Sequence, residues 1–390
     1  MNSSTPIFET KKTIKHRVNG RPLLVAEDTL RYNNLNFIRT LLAISVLYSH
    51  CYVIFYGTEH EVEPLMILSN DQLGIGTLAV NFFFLISGFL ILMSWQNKPD
   101  FISFLKRRIA RIFPGFIVAS LLCLFLFAPL GTGDFYKPLG YWKLYFQSID
   151  WKLIPLNILQ LIEPQPPWTL KNAPISNSIN APMWTIRYEF ICYLIVPLLG
   201  LLRITKIKYL ILLLFLFLFG TFVYQTYAQV WFWDWKTDIP GIGQPNNYIR
   251  FGTYFLGGMS VYLFRENLIR SRWFLLVSVI VLVNSVFYFD SLVITLPIFG
   301  SYILFHLAFA RSYSLSSFSQ WGDFSYGVYL FAWPIQQLVV LYFEQYLDIA
   351  LMFILSLGAT LVLAYFSWHY VEKPFLNLVS TKKPQTSPKL

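Results

Sequence analysis

Long apolar stretches recur along nearly the whole chain, and they constrain its fold more than any other feature of the sequence. A helix needs about 20 predominantly apolar residues to cross a hydrocarbon core about 30 Å thick, and several stretches reach that length. Hydrophobic residues make up 56% of the 390 residues and charged residues only 13%, so no segment is left for a sizeable soluble domain. We therefore predict an all-α fold, a polytopic transmembrane helical bundle.

The breaks between the apolar stretches, made by charged residues, proline or glycine, predict about ten membrane spans. These spans cover residues 35–55, 75–95, 109–130, 182–202, 209–228, 248–264, 273–289, 292–310, 322–343 and 349–370. The chain then divides into an N-terminal segment (1–34), a transmembrane domain (35–371) and a tail (372–390). One long loop, at about 131–181, contains a weakly apolar piece at 153–162 that is predicted to lie on the membrane surface as part of a lid.

The distribution of basic residues predicts the orientation of the bundle, because Lys and Arg favour cytoplasmic loops. With a cytoplasmic N-terminus and ten spans, 23 of the 30 Lys and Arg residues fall on the cytoplasmic side. Both termini are therefore predicted to be cytoplasmic and the long loop external. The net charge of +10 is scattered in short clusters between spans, which indicates contact with membrane lipid and not with nucleic acid. The three cysteines have no paired spacing, so no metal site is predicted.

Ionisable residues within the spans are functional candidates, because a charge inside a membrane is costly. Arg39 and His50 lie eleven residues apart in the first span, which is about three helical turns, so they are predicted to share one face about 16 Å apart. Glu189 in the fourth span is predicted to lie at the depth of His50 and to orient its imidazole as a general base for a hydroxyl group. Alternatively, His50 is a hydrogen-bonded interior histidine and Glu189 its structural partner.

A basic cluster stands at the cytoplasmic entrance of the third span. Its members Arg107, Arg108 and Arg111 could bind phosphates bidentately, as in the nucleotide of coenzyme A. Alternatively, such clusters set topology or contact anionic lipid. Small residues at Ser87 and Gly88 interrupt the second span and allow either close helix packing or room for a ligand.

Four residues near the external ends of spans are candidates for binding a second substrate. Arg250, in the sixth span, could bind an anionic group or pair with an acidic side chain, and the same alternatives apply to Arg187. Trp184 and Tyr188, at the start of the fourth span, are predicted on the same side.

Six segments, in this order, resemble motifs of the acyltransferase-3 family of membrane acyltransferases, and the resemblance covers most of the chain. They are residues 35–39 (LNFIR) with His50, 81–89 (NFFFLISGF), 108–111 (RIAR), 183–189 (MWTIRYE), 324–330 (FSYGVYL) and 370–374 (YVEKP). Each motif alone is weak, but six ordered matches are specific.

The resemblance implies a bacterial inner-membrane enzyme that uses acetyl-CoA or another acyl-CoA as a cosubstrate, with no permanently bound cofactor. The acceptor would be a hydroxyl of a surface glycan or of its lipid-linked precursor outside the cytoplasm. The basic cluster would hold the phosphates of the donor, with Arg39 beside its thioester arm and Ser87 also at the donor. The resemblance implies that His50 and Arg39 are both essential. Arg250, Trp184 and Tyr188 are assigned to the acceptor side.

Two departures and two rival functions accompany this resemblance. Many members have a histidine shortly after the SYxxYL segment, where this chain has Phe331, Ala332, Trp333 and Pro334. The external hydrolase-like domain that is fused to some members is also missing. The rivals are a transporter or flippase for lipid-linked sugar, which no inverted repeat supports, and a non-catalytic assembly scaffold.

Overall fold

The computed structural model describes the chain except for residues 1–16, 19–20, 27–29, 31–32, 60–61, 132–138, 167–173, 177, 230–236, 289, 311–314 and 381–390. Much of the predicted N-terminal segment, parts of the long loop and the end of the predicted tail therefore lie outside the described residues. Within the described parts, two short strands, β1 (Arg17–Val18) and β2 (Arg21–Pro22), pair antiparallel, and the regular structure that follows is helical.

Thirteen helices are numbered here along the described chain. They are α1 (Leu35–Tyr56), α2 (Pro64–Leu68), α3 (Ile75–Asn97), α4 (Phe101–Leu130), α5 (Leu139–Ser148), α6 (Leu153–Leu159), α7 (Ala181–Leu201), α8 (Lys208–Ala228), α9 (Pro245–Leu263), α10 (Arg272–Phe287), α11 (Leu292–Ala308), α12 (Ser325–Tyr346) and α13 (Ile349–Val379). Short π-helical or 3₁₀ segments are included in α4, α7, α11, α12 and α13. The predicted all-α fold is confirmed.

Every predicted span coincides with one of these helices. Among the described residues, seven helices are long and apolar enough to cross a membrane, namely α1, α3, α4, α7, α8, α12 and α13. The helices α10 and α11 are apolar but shorter, and α9 carries the polar residues Asn246, Asn247 and Arg250 in its first two turns. The protein is therefore a multi-pass membrane protein, and the count of ten crossings remains a prediction.

Glycines decide how closely α3 and α9 cross. A side-chain carbon added at Gly88 would lie 1.9 Å from the backbone oxygen of Phe255, and one added at Gly258 would lie 1.9 Å from that of Leu85. Only glycine allows both backbones to approach this far. Two explanations were predicted for the small residues in the second span, and close helix packing is the one that applies to Gly88.

Two helices extend beyond their predicted spans, and both extensions contribute to the site. The helix α4 begins at Phe101, where the Asp100 carboxylate accepts a hydrogen bond from the backbone of Ser103. The helix α13 continues through a π-helical turn to Val379, past the predicted end of the transmembrane domain. This continuation packs against α4 and holds Glu372 fully buried beside it.

The described parts of the long loop are anchored on the bundle. Tyr145 of α5 is buried and donates a hydrogen bond to the backbone oxygen of Leu124 in α4, with an oxygen–oxygen distance of 2.7 Å. The apolar piece predicted on the membrane surface forms α6, whose Leu156 and Leu159 side chains are exposed. The loop then returns to the start of α7, where Asn180 donates to the backbone oxygen of Leu330 in α12.

Candidate functional site

An ion network joins three helices at the predicted cytoplasmic end of the bundle. One oxygen of Asp323, just before α12, lies 2.6 Å from a guanidinium nitrogen of Arg39 in α1 and 2.7 Å from one of Arg111 in α4. Arg111 also pairs with Glu372 of α13 at 3.2 Å. The second oxygen of Asp323 accepts a hydrogen bond from the hydroxyl of Ser325. Two arginines and two carboxylates thus hold the helices at fixed distances.

The electrostatic state of Asp323 follows from this network. Burial by itself would raise the pKa of the Asp323 carboxyl, but the charges of Arg111 and Arg39 outweigh burial and hold that pKa well below its usual range. Asp323 is therefore ionised at physiological pH and permanently attracts both arginines.

The basic residues predicted to bind the donor line one cavity of about 370 Å³, which we name the arginine cavity. Its polar lining consists of Arg39, Ser87, Arg107, Arg108, Arg111 and Tyr193, together with Asn377 and Ser380 at the end of α13. The structure thus brings the predicted donor residues together. Such a volume is within the range of small-molecule sites.

The arginines of this cavity differ in their partners. Arg111 is bound by two carboxylates, whereas Arg107 and Arg108 pair with no carboxylate among the described residues. The guanidinium of Arg108 lies between two rings, 5.5 Å from the centre of Phe104 and 5.7 Å from that of Tyr193, and its buried Nε has no hydrogen-bond partner. Two guanidinium groups are thus available for an anion that enters the cavity.

The position of Glu189 corrects its predicted partnership with His50. Its carboxylate accepts hydrogen bonds from Ser87, at 2.7 Å, and from Tyr193, at 2.5 Å. Both donors line the arginine cavity, while Glu189 itself lines a smaller cavity above it. No hydrogen bond joins Glu189 and His50, because Glu189 faces α3 on the side where α3 presents Ser87.

His50 lies in the C-terminal half of α1 and lines a second cavity of about 120 Å³, which we name the histidine cavity. The edge of its imidazole meets the ring of Trp333 in α12, with ring centres 5.0 Å apart and planes at 87°. The Nδ1 atom is buried and has no hydrogen-bond partner. Because Nε2 is not among the buried atoms without a partner, we infer that it is the ring nitrogen on the side of the cavity.

Two of the three predicted acceptor residues line the histidine cavity. Arg250 of α9 lies on its wall, oriented by the side-chain oxygen of Asn81 at 2.8 Å, and the half-exposed Trp184 lies beside it. Tyr188 is buried elsewhere, where its hydroxyl accepts hydrogen bonds from the backbone of Gln244 and the side chain of Asn247. Tyr188 does not line this cavity, although its ring contacts that of Trp184, and its assignment to the acceptor stays a prediction.

Glu59 and Arg187 differ in their relation to the histidine cavity. Glu59, which precedes α2, lines the histidine cavity together with Arg250. Arg187 does not line the cavity and pairs with Asp238 at 3.4 Å. Of the two predicted roles of Arg187, binding an anionic group or pairing with an acidic side chain, the structure shows the second.

A small third cavity of about 40 Å³, the middle cavity, lies between the other two. It shares Arg39 with the arginine cavity, and it shares Val80, Thr185 and Tyr329 with the histidine cavity. The hydroxyl groups of Thr185 and Tyr329 lie 2.6 Å apart at this junction. Arg39 and His50, at the two ends of one face of α1, thus open into a row of three adjoining cavities.

Several residues of the site were missed by sequence reasoning. Asp323 and Glu372 each lie at a recognised motif, one residue before 324–330 and within 370–374, so the motifs gave a signal for them. Their partners are far away in sequence, since Asp323 lies 284 positions from Arg39 and Glu372 lies 261 positions from Arg111. Tyr329 also lies in a motif, whereas Glu59 lies in none.

The helical bundle thus has the arginine cavity and the histidine cavity toward the two ends of one face of α1, with the middle cavity between them. Residues 32–369 match the acyltransferase domain of the acyltransferase-3 family. The chain belongs to this family, which confirms the resemblance inferred from its motifs.

Three characterised proteins are similar to the chain. The "O-acetyl transferase" of Shigella phage Sf6 is 28% identical over 353 residues, which cover 90% of this chain and 98% of that protein. The "Acyltransferase MdmB" of Streptomyces mycarofaciens is 26% identical over 43% of this chain and 39% of its own. "Nodulation protein 10" of Rhizobium leguminosarum bv. viciae is 27% identical over 43% of this chain and 44% of its own. No solved structure matches the chain significantly.

Proposed function

We propose that this acyltransferase moves an acetyl group from cytoplasmic acetyl-CoA to a hydroxyl of a surface glycan, or of its lipid-linked precursor, on the external side of the bacterial inner membrane. The similarity to a phage O-acetyl transferase over nearly the full length of both proteins supports the acetyl group and the hydroxyl acceptor. The observation that carries the proposal is the row of three adjoining cavities between the basic cluster and His50.

The arginine cavity supports the choice of donor. Coenzyme A carries several phosphates, and guanidinium groups bind phosphate with paired, charge-assisted hydrogen bonds. Arg107 and Arg108, which have no carboxylate partner among the described residues, would bind these phosphates, while Arg39 and Arg111 are held in the cavity wall by Asp323. The donor would then remain at the cytoplasmic face.

The middle cavity supports entry of the thioester arm. It lies between the other two cavities, and its volume of about 40 Å³, room for a few water molecules, is too small for a sugar ring. A flippase would need a passage wide enough for the sugar, so the narrow connection favours acyl transfer over the transport alternative. Arg39 stands where the arm would leave the arginine cavity.

His50 would act as the general base at the external end of this path. Its Nε2 would accept the proton of the acceptor hydroxyl as the hydroxyl oxygen attacks the thioester carbonyl. The carbon–sulfur bond then breaks, and the coenzyme A thiolate takes up a proton. A route through an acyl-histidine would use the same nitrogen as the nucleophile.

The acceptor would bind in the histidine cavity. Trp184 offers an apolar face on which a sugar ring can pack, and Arg250 with Glu59 offers polar groups for hydroxyls. Ala181 and Pro182, where the external loop joins α7, line this cavity, so the loop would cover the bound sugar.

Purified protein in lipid nanodiscs, with acetyl-CoA and glycan from a strain lacking this protein, tests the proposal. We expect an O-acetyl signal in the proton NMR spectrum of the glycan, and none with His50→Ala. His369→Ala is the matched control, because His369 is partly exposed and lines none of these cavities. Undiminished transfer by His50→Ala would refute the role of the imidazole. Loss of glycan export with normal acetyl content in the deletion strain would instead favour a transporter.

A further inference from the structure

The two nitrogens of the His50 imidazole lie in different surroundings. The ring lines the histidine cavity, but its Nδ1 is buried without a hydrogen-bond partner. In His369, by contrast, Nδ1 lies 3.0 Å from the backbone oxygen of Tyr365, one turn earlier in the same helix, where it can form a hydrogen bond. Nδ1 of His50 forms no such bond. Because the corrected position of Glu189 also removes the predicted partner, the group that orients His50 must lie elsewhere.

Gln336 of α12 is the second unusual polar residue of this region. It is completely buried, and its side-chain nitrogen donates to the backbone oxygen of Leu47 at 2.7 Å and lies 3.0 Å from the sulfur of Cys51. A backbone oxygen can only accept, so this contact determines which end of the carboxamide is the nitrogen. The amide oxygen of Gln336 is left buried and without a partner.

These two unpartnered atoms lie in one interface, between α1 and α12. Leu47 and Cys51, which Gln336 contacts, precede and follow His50 on the same turn of α1. Trp333, three residues before Gln336 and therefore on the same face of α12, contacts the imidazole itself. A nitrogen that can donate and an oxygen that can only accept thus belong to side chains that meet the same turn of α1. Buried polar groups without partners are rare, and one buried water often satisfies two of them.

We propose that Gln336 is the positioning residue for His50, whose Nδ1 proton its amide oxygen accepts through one buried water molecule. This bond would hold the proton on Nδ1 and leave the lone pair of Nε2 directed into the histidine cavity. The tautomer of a neutral histidine is set by the hydrogen bond that its other nitrogen makes. The catalytic consequence rests on the proposed function, since only a base or nucleophile needs a free Nε2.

Nitrogen-15 NMR of protein labelled at histidine, in nanodiscs without any substrate and at a pH where histidine is neutral, reports the tautomer directly. The chain has five histidines, and the signals missing from His50→Ala identify those of His50. We expect a protonated Nδ1 and an unprotonated Nε2 in the unaltered protein. Gln336→Met should shift the proton toward Nε2, whereas Gln336→Glu retains an oxygen at this position and should retain the tautomer.

Activity provides the second measurement. Gln336→Met should lower kcat by about 10- to 100-fold with little change in the KM for acetyl-CoA, because binding of the donor does not involve Nε2. Gln336→Glu should recover most of the rate. Cys51→Ala removes only the sulfur contact of Gln336 and should change neither the tautomer nor kcat, which controls for local repacking.

The outcomes separate this inference from the proposed function. A proton on Nε2 in the unaltered protein, or an unchanged tautomer in Gln336→Met, would overturn the role of Gln336 whether or not the protein transfers acetyl groups. If the tautomer follows Gln336 as expected but His50→Ala transfers at the normal rate, the positioning is upheld and the proposed general base is refuted.

Discussion

Replacing Asp323 by Asn is expected to destabilise the protein by about 3 kcal/mol, although it changes neither the size nor the shape of the side chain. The carboxylate binds Arg39 and Arg111 through one oxygen, and both arginines are largely buried. Removing its charge leaves two guanidinium groups facing each other across a neutral amide. Their desolvation and mutual repulsion would then be compensated only in part.

The magnitude follows from what remains after the substitution. Breaking a buried ion pair by removing one partner typically costs about 3–5 kcal/mol. The lower end applies here, because Arg111 keeps its contact with Glu372 at 3.2 Å and the Arg39 side chain is 20% exposed toward the arginine cavity. Hydrogen bonding by Ser325 can also persist with the new amide.

Acidification in the usual range should not reproduce this effect. Burial acts to raise the pKa of Asp323, but the two arginines hold it well below its usual value. A carboxyl with a lowered folded-state pKa contributes stability that is fully present above its unfolded pKa of about 4 and is lost as the pH falls further toward the folded-state pKa. The contribution of the Asp323 carboxylate itself should therefore be constant between about pH 5 and 8, so that only the substitution removes it.

Unfolding in detergent can be followed with a thiol-reactive fluorophore, because Cys51, Cys123 and Cys192 are free and buried and become reactive on unfolding. A double-mutant cycle supplies the control. Adding Arg39→Met to Asp323→Asn removes one of the uncompensated charges and should restore about 1 kcal/mol of the free energy of unfolding. If the double variant loses as much stability as the two single variants together, the two charges are not coupled and the reasoning is refuted.

Three further predictions concern the cavities. Arg107→Met should raise the KM for acetyl-CoA, measured by steady-state kinetics, about tenfold, because it removes a charge-assisted hydrogen bond. Lys106 is exposed and lies outside the cavity, so Lys106→Met should leave this KM unchanged. Val80→Trp, at the wall shared by the middle and histidine cavities, should abolish transfer without weakening coenzyme A binding measured by calorimetry, and retained transfer would exclude this route. Trp184→Ala should raise the acceptor KM about tenfold and leave that for acetyl-CoA unchanged; equal effects on both would contradict its place at the acceptor.

The helices could be predicted from the sequence because each apolar stretch must satisfy its own backbone hydrogen bonds in lipid. The observed helices differ from the predicted spans at the helix ends. The helix α4 begins eight residues before the predicted span at 109, and α13 continues to Val379, since polar residues also continue a helix where neighbouring helices pack against it. Sequence hydropathy cannot register such packing.

The site could be predicted only in part. Intramembrane charges and family motifs identified Arg39 and His50, and the predicted residues Trp184 and Arg250 do line the cavity of His50. The pairing of His50 with Glu189 was wrong because equal depth in two helices does not mean that their side chains face each other. Glu189 instead meets Ser87 and Tyr193.

The sequence by itself determined that the chain is helical, that it is embedded in a membrane, and which few polar side chains are buried with it, because the cost of burial in lipid acts on each segment separately. The tertiary structure alone decided which of those side chains meet. Asp323 binds an arginine 284 positions away, and Gln336 faces the turn of His50 from another helix. Such contacts depend on the rotation and crossing of whole helices, which side-chain packing across the bundle sets and no local pattern records.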